Sequence, residues 1–536
     1  LGQGREGQRG PRAPTTTKVR KKKKRRPFPI AVNLSNCKYE LLRIVQKKLG
    51  WKEVGDDDEW QVYWTDTSVG IDRIMRLTKT QKINHFTGML EICRKKSLAR
   101  NINRMSTLFP QEFDFTPKTY ILPGDMQEFL SQFSGKKRKT FILKPDAGCQ
   151  GKGIALAQDA DTVEDALRSL GTDNVVAQRY LPKPFLIDGY KFDLRVYVLV
   201  LSCDPLRVFL YNDGLARFCT EKYSAPKSDN LHDVCMHLTN YAVNKHNEKF
   251  SFNEDAEAND EGSKWSLQGL REWMLGNGHD FDAVWAKIAD LTVKTLCAIQ
   301  PILKHNYRSV LPPDNDGFSC FEILGLDVLL DHTLKPWLIE VNHSPSFTVD
   351  TPLDLSIKEE LISDTIDLVR VDPRAIKRAK QADKADSMSR LYPGPRRAGG
   401  DSDEQPEEDG GKRRKGVVPT EDEIRQQREA AIRAREKYEE KHLGGYERIY
   451  PTGDSSRDSR FVGLMEGAQR LFTQYSFQHR VRDTLAKAKE QAKAKADEEA
   501  IGKARLVGDL RAARSKEREL RGEPPAREEK EPPPPP

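Results

Sequence analysis

The sequence predicts an α/β body over residues 27–372, set between two basic arms. Short β-rich runs bounded by Gly, Pro or Asp recur at Phe141–Lys144, Ile154–Leu156, Leu194–Leu201 and Trp337–Val341, with amphipathic segments between them. Helical spacing is clearest at Phe281, Val284, Trp285, Ile288 and Leu291, which repeats i, i+3, i+4, i+7. Charge marks the boundaries. The net +8 divides into +10 over residues 1–26, −8 over 27–372 and +6 over 373–536.

A chain of 536 residues allows two to four domains, at about 150 residues each. With 37% apolar and 32% charged residues it is too polar for one globule of that size and too apolar for full disorder. No run approaches the roughly 18 apolar residues of a membrane span. The first twenty residues are polar and basic, so no secretory signal peptide is expected. Eight cysteines are scattered without any C-x-x-C, which suits free thiols in a reducing, cytosolic compartment.

Residues 1–26 end in a basic run from Arg20 to Arg26 and cannot bury a core, so a disordered arm is expected. That run also fits a nuclear localisation signal. The body, residues 27–372, has enough apolar patterning for two or three α/β lobes. A basic helical region follows over 373–480, with a Gly/Pro-rich linker at 393–418 and a charged low-complexity tail at 481–536. Thr420 with Glu423 forms a capping box for a helix running to about His442. That helix carries Arg425, Arg428, Arg433, Arg435, Lys437 and Lys441 on a thin apolar stripe, so it is expected on a partner or in solvent. Basic arms suit a polyanion: nucleic acid, a lipid surface or an acidic protein.

Three segments carry chemistry. In F-I-L-K-P-D-A-G-C-Q-G-K-G-I (141–154) a strand ends in Lys144 and a turn with Gly148, Gly151 and Gly153 follows. Such a turn lets backbone N–H groups approach an anion. It is neither a Walker A loop nor a Rossmann fingerprint, and on its own it equally fits an ordinary hairpin turn. Next, Asp327 lies inside the apolar run 321–330, while Glu340 and Asn342 lie two apart on the following strand and share a face. Buried carboxylates need a cation or hydrogen bonds. Oxygen-only donors suit Mg²⁺ carried by a nucleotide, and pairing with core-edge lysines is the alternative. Lys191, Asp193 and Arg195 alternate on an incoming strand, either as a solvated face or as the wall of a cleft.

These segments resemble the tubulin tyrosine ligase-like family, whose members have an ATP-grasp fold. K-P-D-A-G-C-Q-G-K-G-I, K-F-D-L-R, M-H-L-T-N-Y and W-L-I-E-V-N-H-S-P-S-F occur in order, with N-H-F-T-G-M-L-E-I-C-R-K (84–95) upstream. The resemblance covers roughly residues 28–372. S-C-D-P-L-R-V-F (202–209) and G-L-A-R-F (214–218) resemble the branch that adds glutamate chains. H-L-G-G-Y-E-R-I-Y-P (442–451) is similar to a basic helical extension that binds microtubules in some of those polyglutamylases.

The resemblance implies ATP and Mg²⁺ as cofactors. Lys144, Gln150 and Gly151 would hold ATP through the glycine loop, and Gln178, Arg179, Tyr180 and Leu181 would form the adenine-side hinge. Lys191, Phe192, Asp193, Thr239 and Asn240 would complete the nucleotide pocket. Asp327, Glu340 and Asn342 would bind magnesium, and Arg217, Tyr241, Lys264 and His343 would hold free L-glutamate. Lys144 and Arg195 would offset charge in phosphoryl transfer as the catalytic cations. The implied reaction activates a carboxylate as an acyl phosphate, which the amine of glutamate then attacks. The implied partners are tubulin and microtubules with acidic tails, in cytoplasm and cytoskeleton, with cilium or basal body as a further expectation. No membrane partner is expected, and nucleic acid is set aside. Three cationic donor contacts, Arg217, Lys264 and His343, exceed what glycine needs, which disfavours a glycine ligase of the same fold. A tyrosine ligase and a non-catalytic microtubule-binding protein are the remaining alternatives.

Overall fold

Val196–Leu201 is apolar at every position, a pattern that is stable only when both faces of a strand are covered. The structure, a computed structural model, describes residues 30–391, 420–477 and 516, apart from 136–137, 147–150, 152, 172–173, 253–261 and 313–314. The expected N-terminal arm, the 393–418 linker and all of the tail but residue 516 lie outside the described residues.

Three sheets build the body. A parallel sheet near the N-terminus has strands β1 (Ala31–Asn33), β2 (Lys52–Val54), β3 (Val62–Tyr63) and β4 (Lys82–Ile83) in the order β2-β1-β3-β4. A small antiparallel sheet has β5 (Thr119–Ile121), β6 (Phe141–Pro145), β7 (Ala155–Ala157) and β8 (Val175–Arg179) in the order β5-β8-β6-β7. The central sheet holds β9 (Leu186–Ile187), β10 (Tyr190–Cys203), β11 (Leu206–Lys222), β12 (Lys264–Ser266), β13 (Glu322–Leu330), β14 (Pro336–Asn342) and β15 (Tyr446–Tyr450). Its main order is β12-β11-β10-β13-β14, with β9 added to β10 and β15 to β11.

The all-apolar run now has its explanation. Leu194, Val196, Val198 and Val200 face one core, shared with Val284, Ile288 and Leu291 of the helix Phe281–Cys297. Tyr197, Leu199 and Leu201 face a second core, shared with Leu353, Ile357 and Leu361 of the helix Pro352–Val369. Period-2 alternation along β10 thus feeds two cores from one strand.

Beyond residue 372 the chain departs from expectation. The helix Glu421–Glu439 has its capping box: Thr420 Oγ1 accepts from the Glu423 N–H at 3.2 Å, and Glu423 Oε2 accepts from the Thr420 N–H at 2.9 Å. Its second half does not lie free on a surface. Arg435 and Glu439 are buried, and Arg435 donates to the carbonyls of Leu368 and Val369. Arg207 Nε, at the start of β11, donates to Glu439 Oε1 at 3.0 Å, while Arg435 and Arg448 stand 3.2 and 3.8 Å from the same carboxylate. The reason is charge: a carboxylate removed from water needs cations, and this one has three guanidiniums. After the helix, Gly445 lets the chain pass Tyr211, since a Cβ there would meet the ring at 2.7 Å. Tyr446 then packs on Tyr211 at 4.9 Å as β15 joins β11. Phe461, Leu464 and Ala468, from the helix over residues 455–477, enter the first core. Of the six basic residues expected on a docking face, Arg435 is structural, Arg425, Arg433, Lys437 and Lys441 are exposed, and the Arg428 side chain lies outside the described set.

Removing the shared carboxylate by Glu439→Ala strands buried guanidiniums, so urea unfolding is expected to show a loss of about 3–5 kcal/mol. Arg433→Ala, on the exposed face, is expected to stay within about 0.5 kcal/mol of the parent.

Candidate active site

Alternation on β10 sends Lys191, Asp193 and Arg195 to one face and Phe192, Leu194 and Val196 to the other. Strand register then assembles a row of charge. Asp193 lies opposite Arg217 on β11, and Arg217 lies opposite Lys264 on β12. Arg195 lies opposite Asp327 on β13, and Asp327 lies opposite Glu340 on β14, with Asn342 opposite Gly325. Arg217 clamps Asp193, with Nε to Oδ1 at 2.9 Å and Nη2 to Oδ2 at 2.6 Å, and reaches Asp327 Oδ2 at 3.0 Å. Arg195 Nε donates to Asp327 Oδ1 at 2.7 Å. Burial opposes ionisation of Asp327, but Arg195 and Arg217 outweigh it and hold the carboxyl below its usual range. Burial, with the Asp327 charge alongside, pushes the Glu340 carboxyl up.

The small sheet covers this row. Lys144 on β6 donates to Gln178 Oε1 on β8 at 2.9 Å, and burial pushes its ammonium down to about 8 although Glu340 opposes the shift. Between the sheets lies a cavity of about 90 Å³ bounded by Lys144, Gln178, Arg179, Tyr180, Leu181, Lys191, Asp193, Thr239, Asn240, Asp327 and Glu340. A larger cavity of about 390 Å³ adjoins it, sharing Lys144, Asn240 and Glu340 and adding Gly151, Arg195, Arg217, Tyr241, Lys264 and Asn342. Gly151 has φ +78°, and a Cβ there would meet Val243 at 2.7 Å, so the turn tolerates only glycine. Gln150 lies outside the described residues.

Most of the expected residues therefore meet at these two cavities. Phe192 is the first exception: its ring is in the core against Phe218, and it lines neither cavity. His343 is the second. It lines neither cavity and lies beside His85, ring centroids 5.7 Å apart. Burial, His85 and Arg94 push its imidazole down to about 4, so at neutral pH it is no cation for a carboxylate. Arg217 and Lys264 do line the larger cavity, but each is already paired, Lys264 with Asp354 at 2.9 Å and under a cation–π contact with Tyr241 at 3.8 Å. Sequence reasoning missed Lys38, Lys95, Asp354 and Lys358 on that wall. The i, i+4 spacing of Asp354 and Lys358, 2.7 Å apart across one helix face, was the available signal.

Two groups invite a metal. Among the described residues, His85, Glu322 and His343 bring donor atoms within 4.8 Å of one another. Two of its members are held by protein partners: His85 Nδ1 pairs with Glu322 Oε1 at 2.8 Å, His85 Nε2 with the Thr65 carbonyl at 2.9 Å, and Glu322 Oε2 with the Phe86 N–H at 2.8 Å, while His343 Nδ1 is buried without a hydrogen-bond partner among the described residues. Asp327 and Glu340 form the second group, two carboxylates placed opposite each other by register, with Asp327 held by Arg195 and Arg217 and Glu340 standing 3.9 Å from Lys95. With the Asn342 amide beside them, this all-oxygen donor set fits Mg²⁺.

The tubulin-tyrosine ligase family matches residues 74–379. The chain is 46% identical over 444 residues to tubulin polyglutamylase TTLL13 of Mus musculus, covering 82% of this chain and 52% of the relative. It is 44% identical over 430 residues to tubulin polyglutamylase ttll6 of Danio rerio, covering 80% and 51%. It is 39% identical over 487 residues to tubulin polyglutamylase TTLL7 of Mus musculus, covering 88% and 52%. The chain spans about half the length of these curated relatives. It belongs to the tubulin-tyrosine ligase family.

Proposed function

We propose that the chain is an ATP-dependent tubulin polyglutamylase that joins free L-glutamate to glutamate side chains, or to growing glutamate chains, on tubulin tails. The observation that carries this reading is the charge row where the two cavities meet. The smaller cavity offers Lys144 and Lys191 to phosphate, and the larger offers a cation-rich wall to carboxylates. On that wall Lys38, Lys95, Lys144, Arg195, Arg217, Lys264 and Lys358 outnumber Glu340, Asp350 and Asp354, which suits a dicarboxylic amino acid meeting an acidic tail. The names of the relatives point the same way.

A carboxylate is a poor electrophile at neutral pH, so phosphoryl transfer from ATP must first convert it to an acyl phosphate. Lys144, Lys191 and Arg195 offset the charge of that transfer from fixed positions. Asp327, Glu340 and Asn342 would hold Mg²⁺, which when bound supplies Lewis-acid stabilisation of phosphate oxygens. Arg217 and Lys264 orient the donor, whose amine attacks the acyl carbon and expels phosphate. The exposed face of the helix Glu421–Glu439 gives the acidic lattice a second, electrostatic hold. A tubulin acceptor sets the work at the cytoskeleton, with cilium or basal body as candidate sites.

Mass spectrometry of microtubules incubated with the protein, ATP and glutamate, glycine or tyrosine in turn is expected to show glutamate adducts alone; glycine or tyrosine adducts would overturn the donor assignment. Glu340→Gln keeps volume and removes the charge facing the cation, so turnover is expected to fall by about two orders of magnitude or more with folding intact. Near-normal turnover would refute the metal assignment.

The docking face is tested by reversing Arg425, Arg433, Lys437 and Lys441 to Glu while sparing the structural Arg435. Field-driven attraction is screened over about 8 Å at 0.15 M salt, so microtubule binding is expected to weaken and to vary less with added salt than in the parent. Glutamylation of a short free tail peptide at saturating concentration is expected to persist. Equal loss on both substrates would return the helix to a purely structural role.

A further inference from the structure

We propose that His237 is a positioning residue that acts through the Tyr180 hydroxyl to aim the Lys191 ammonium into the nucleotide cavity. The inference rests on the reading that this cavity takes the phosphates of ATP.

Hydrogen-bond direction fixes the role of each group. His237 is 1% exposed, and its Nε2 stands 3.0 Å from the Asn230 carbonyl oxygen. A carbonyl only accepts, so Nε2 carries the proton. Burial and the neighbouring Lys191 push the imidazole down, so it is neutral and Nδ1 presents a lone pair. Nδ1 lies 3.0 Å from the Tyr180 hydroxyl, which must therefore donate to it. That leaves the Tyr180 oxygen to accept from Lys191 Nζ at 3.1 Å, and an ammonium only donates. Lys191 Nζ also donates to the His237 carbonyl at 2.6 Å. With Tyr223 beside Tyr180 but donating its own proton to the Pro182 carbonyl at 2.9 Å, the contacts from Lys191 to Asn230 run in one consistent direction.

This arrangement holds Lys191 from two sides with groups that belong to one residue, its ring through Tyr180 and its own carbonyl directly. Among the described residues no hydrogen bond takes the third ammonium proton, which is open to a ligand. His237 also sits in the short turn that leads straight into Thr239 and Asn240 of the same cavity, so ring and backbone are fixed together. Tyr180 takes a second role here: its side chain is buried and pinned to His237, while its backbone continues the β8 hinge. Anchored in this way, Lys191 meets phosphate without having to reorient first.

The test measures kcat and KM for ATP and for glutamate, with thermal stability, in His237→Leu, His237→Asn, Tyr180→Phe and the Tyr180→Phe/His237→Leu double variant. His237→Leu and Tyr180→Phe are each expected to raise the ATP KM about tenfold, the size of one charge-assisted hydrogen bond, with the glutamate KM unchanged. His237→Asn keeps an acceptor near the Nδ1 position and is expected to restore most of the loss. Because one residue acts through the other, the double variant is expected to be no worse than either single variant. Losses that multiply, an Asn variant no better than Leu, or reduced stability with an unchanged ATP KM would each overturn the inference. Lys191→Met separates the two levels: an unchanged ATP KM there overturns the nucleotide reading itself, whereas a large effect with a silent His237 overturns only the positioning role.

Discussion

Arg217 standing between Asp193 and Asp327 is the interaction on which the site depends. Two carboxylates buried on adjacent strands of one sheet would repel and deprotonation of both would be costly. One guanidinium bridges them, and Arg195 closes the other side of Asp327. Each member is satisfied only while the others are present, so the row is cooperative and intolerant of single losses. The constraint reaches into backbone geometry. The pairing requires β10, β11 and β13 in one register, and a one-residue slip would turn every charge into the core. The apolar alternation of β10 into two separate cores is what fixes that register.

The same hairpin carries a second buried ion cluster at its other end. Arg207 starts β11 and meets Glu439, while Arg217 lies ten residues further along the strand in the site. A strand is rigid over that distance, so the C-terminal helix is registered against the charge row. Exposed cations on that helix therefore have a defined placement relative to the cavities, which a flexible tether would not provide. The charge partition of the sequence acquires a finer meaning: part of the C-terminal positive charge holds the fold, and the remainder faces outward.

Much of this was legible in the residues. The runs at 141–144, 194–201 and 337–341 lie in strands, Phe281–Leu291 lies in a helix, and the Thr420–Glu423 capping box forms, because periodicity and caps are local signals. The shared face of Lys191, Asp193 and Arg195 followed from period 2 alone. What alternation could not reveal was which strand lies beside which, so the Asp193–Arg217 and Arg195–Asp327 pairs were invisible. The same limit misplaced His343, read as a cation because nothing local announces that His85 and Arg94 crowd it. It also hid the burial of Arg435, whose partners Leu368 and Val369 lie more than sixty positions away. Pairing across sequence distance is set by tertiary packing, and composition carries no record of it.

Most of the cations at the larger cavity are already held by carboxylates: Arg195 by Asp327, Arg217 by Asp193 and Asp327, and Lys264 and Lys358 by Asp354. It would be a mistake to read this as charge neutralised and lost. A paired side chain is fixed in direction, so its remaining donors and its field point to one place before any ligand arrives, and no side-chain entropy is left to be lost on binding. Across the whole cavity seven cations stand against Glu340, Asp350 and Asp354, so its wall stays cationic even when these pairs are fully hydrogen-bonded. A carboxylate entering there meets donors whose directions are already fixed.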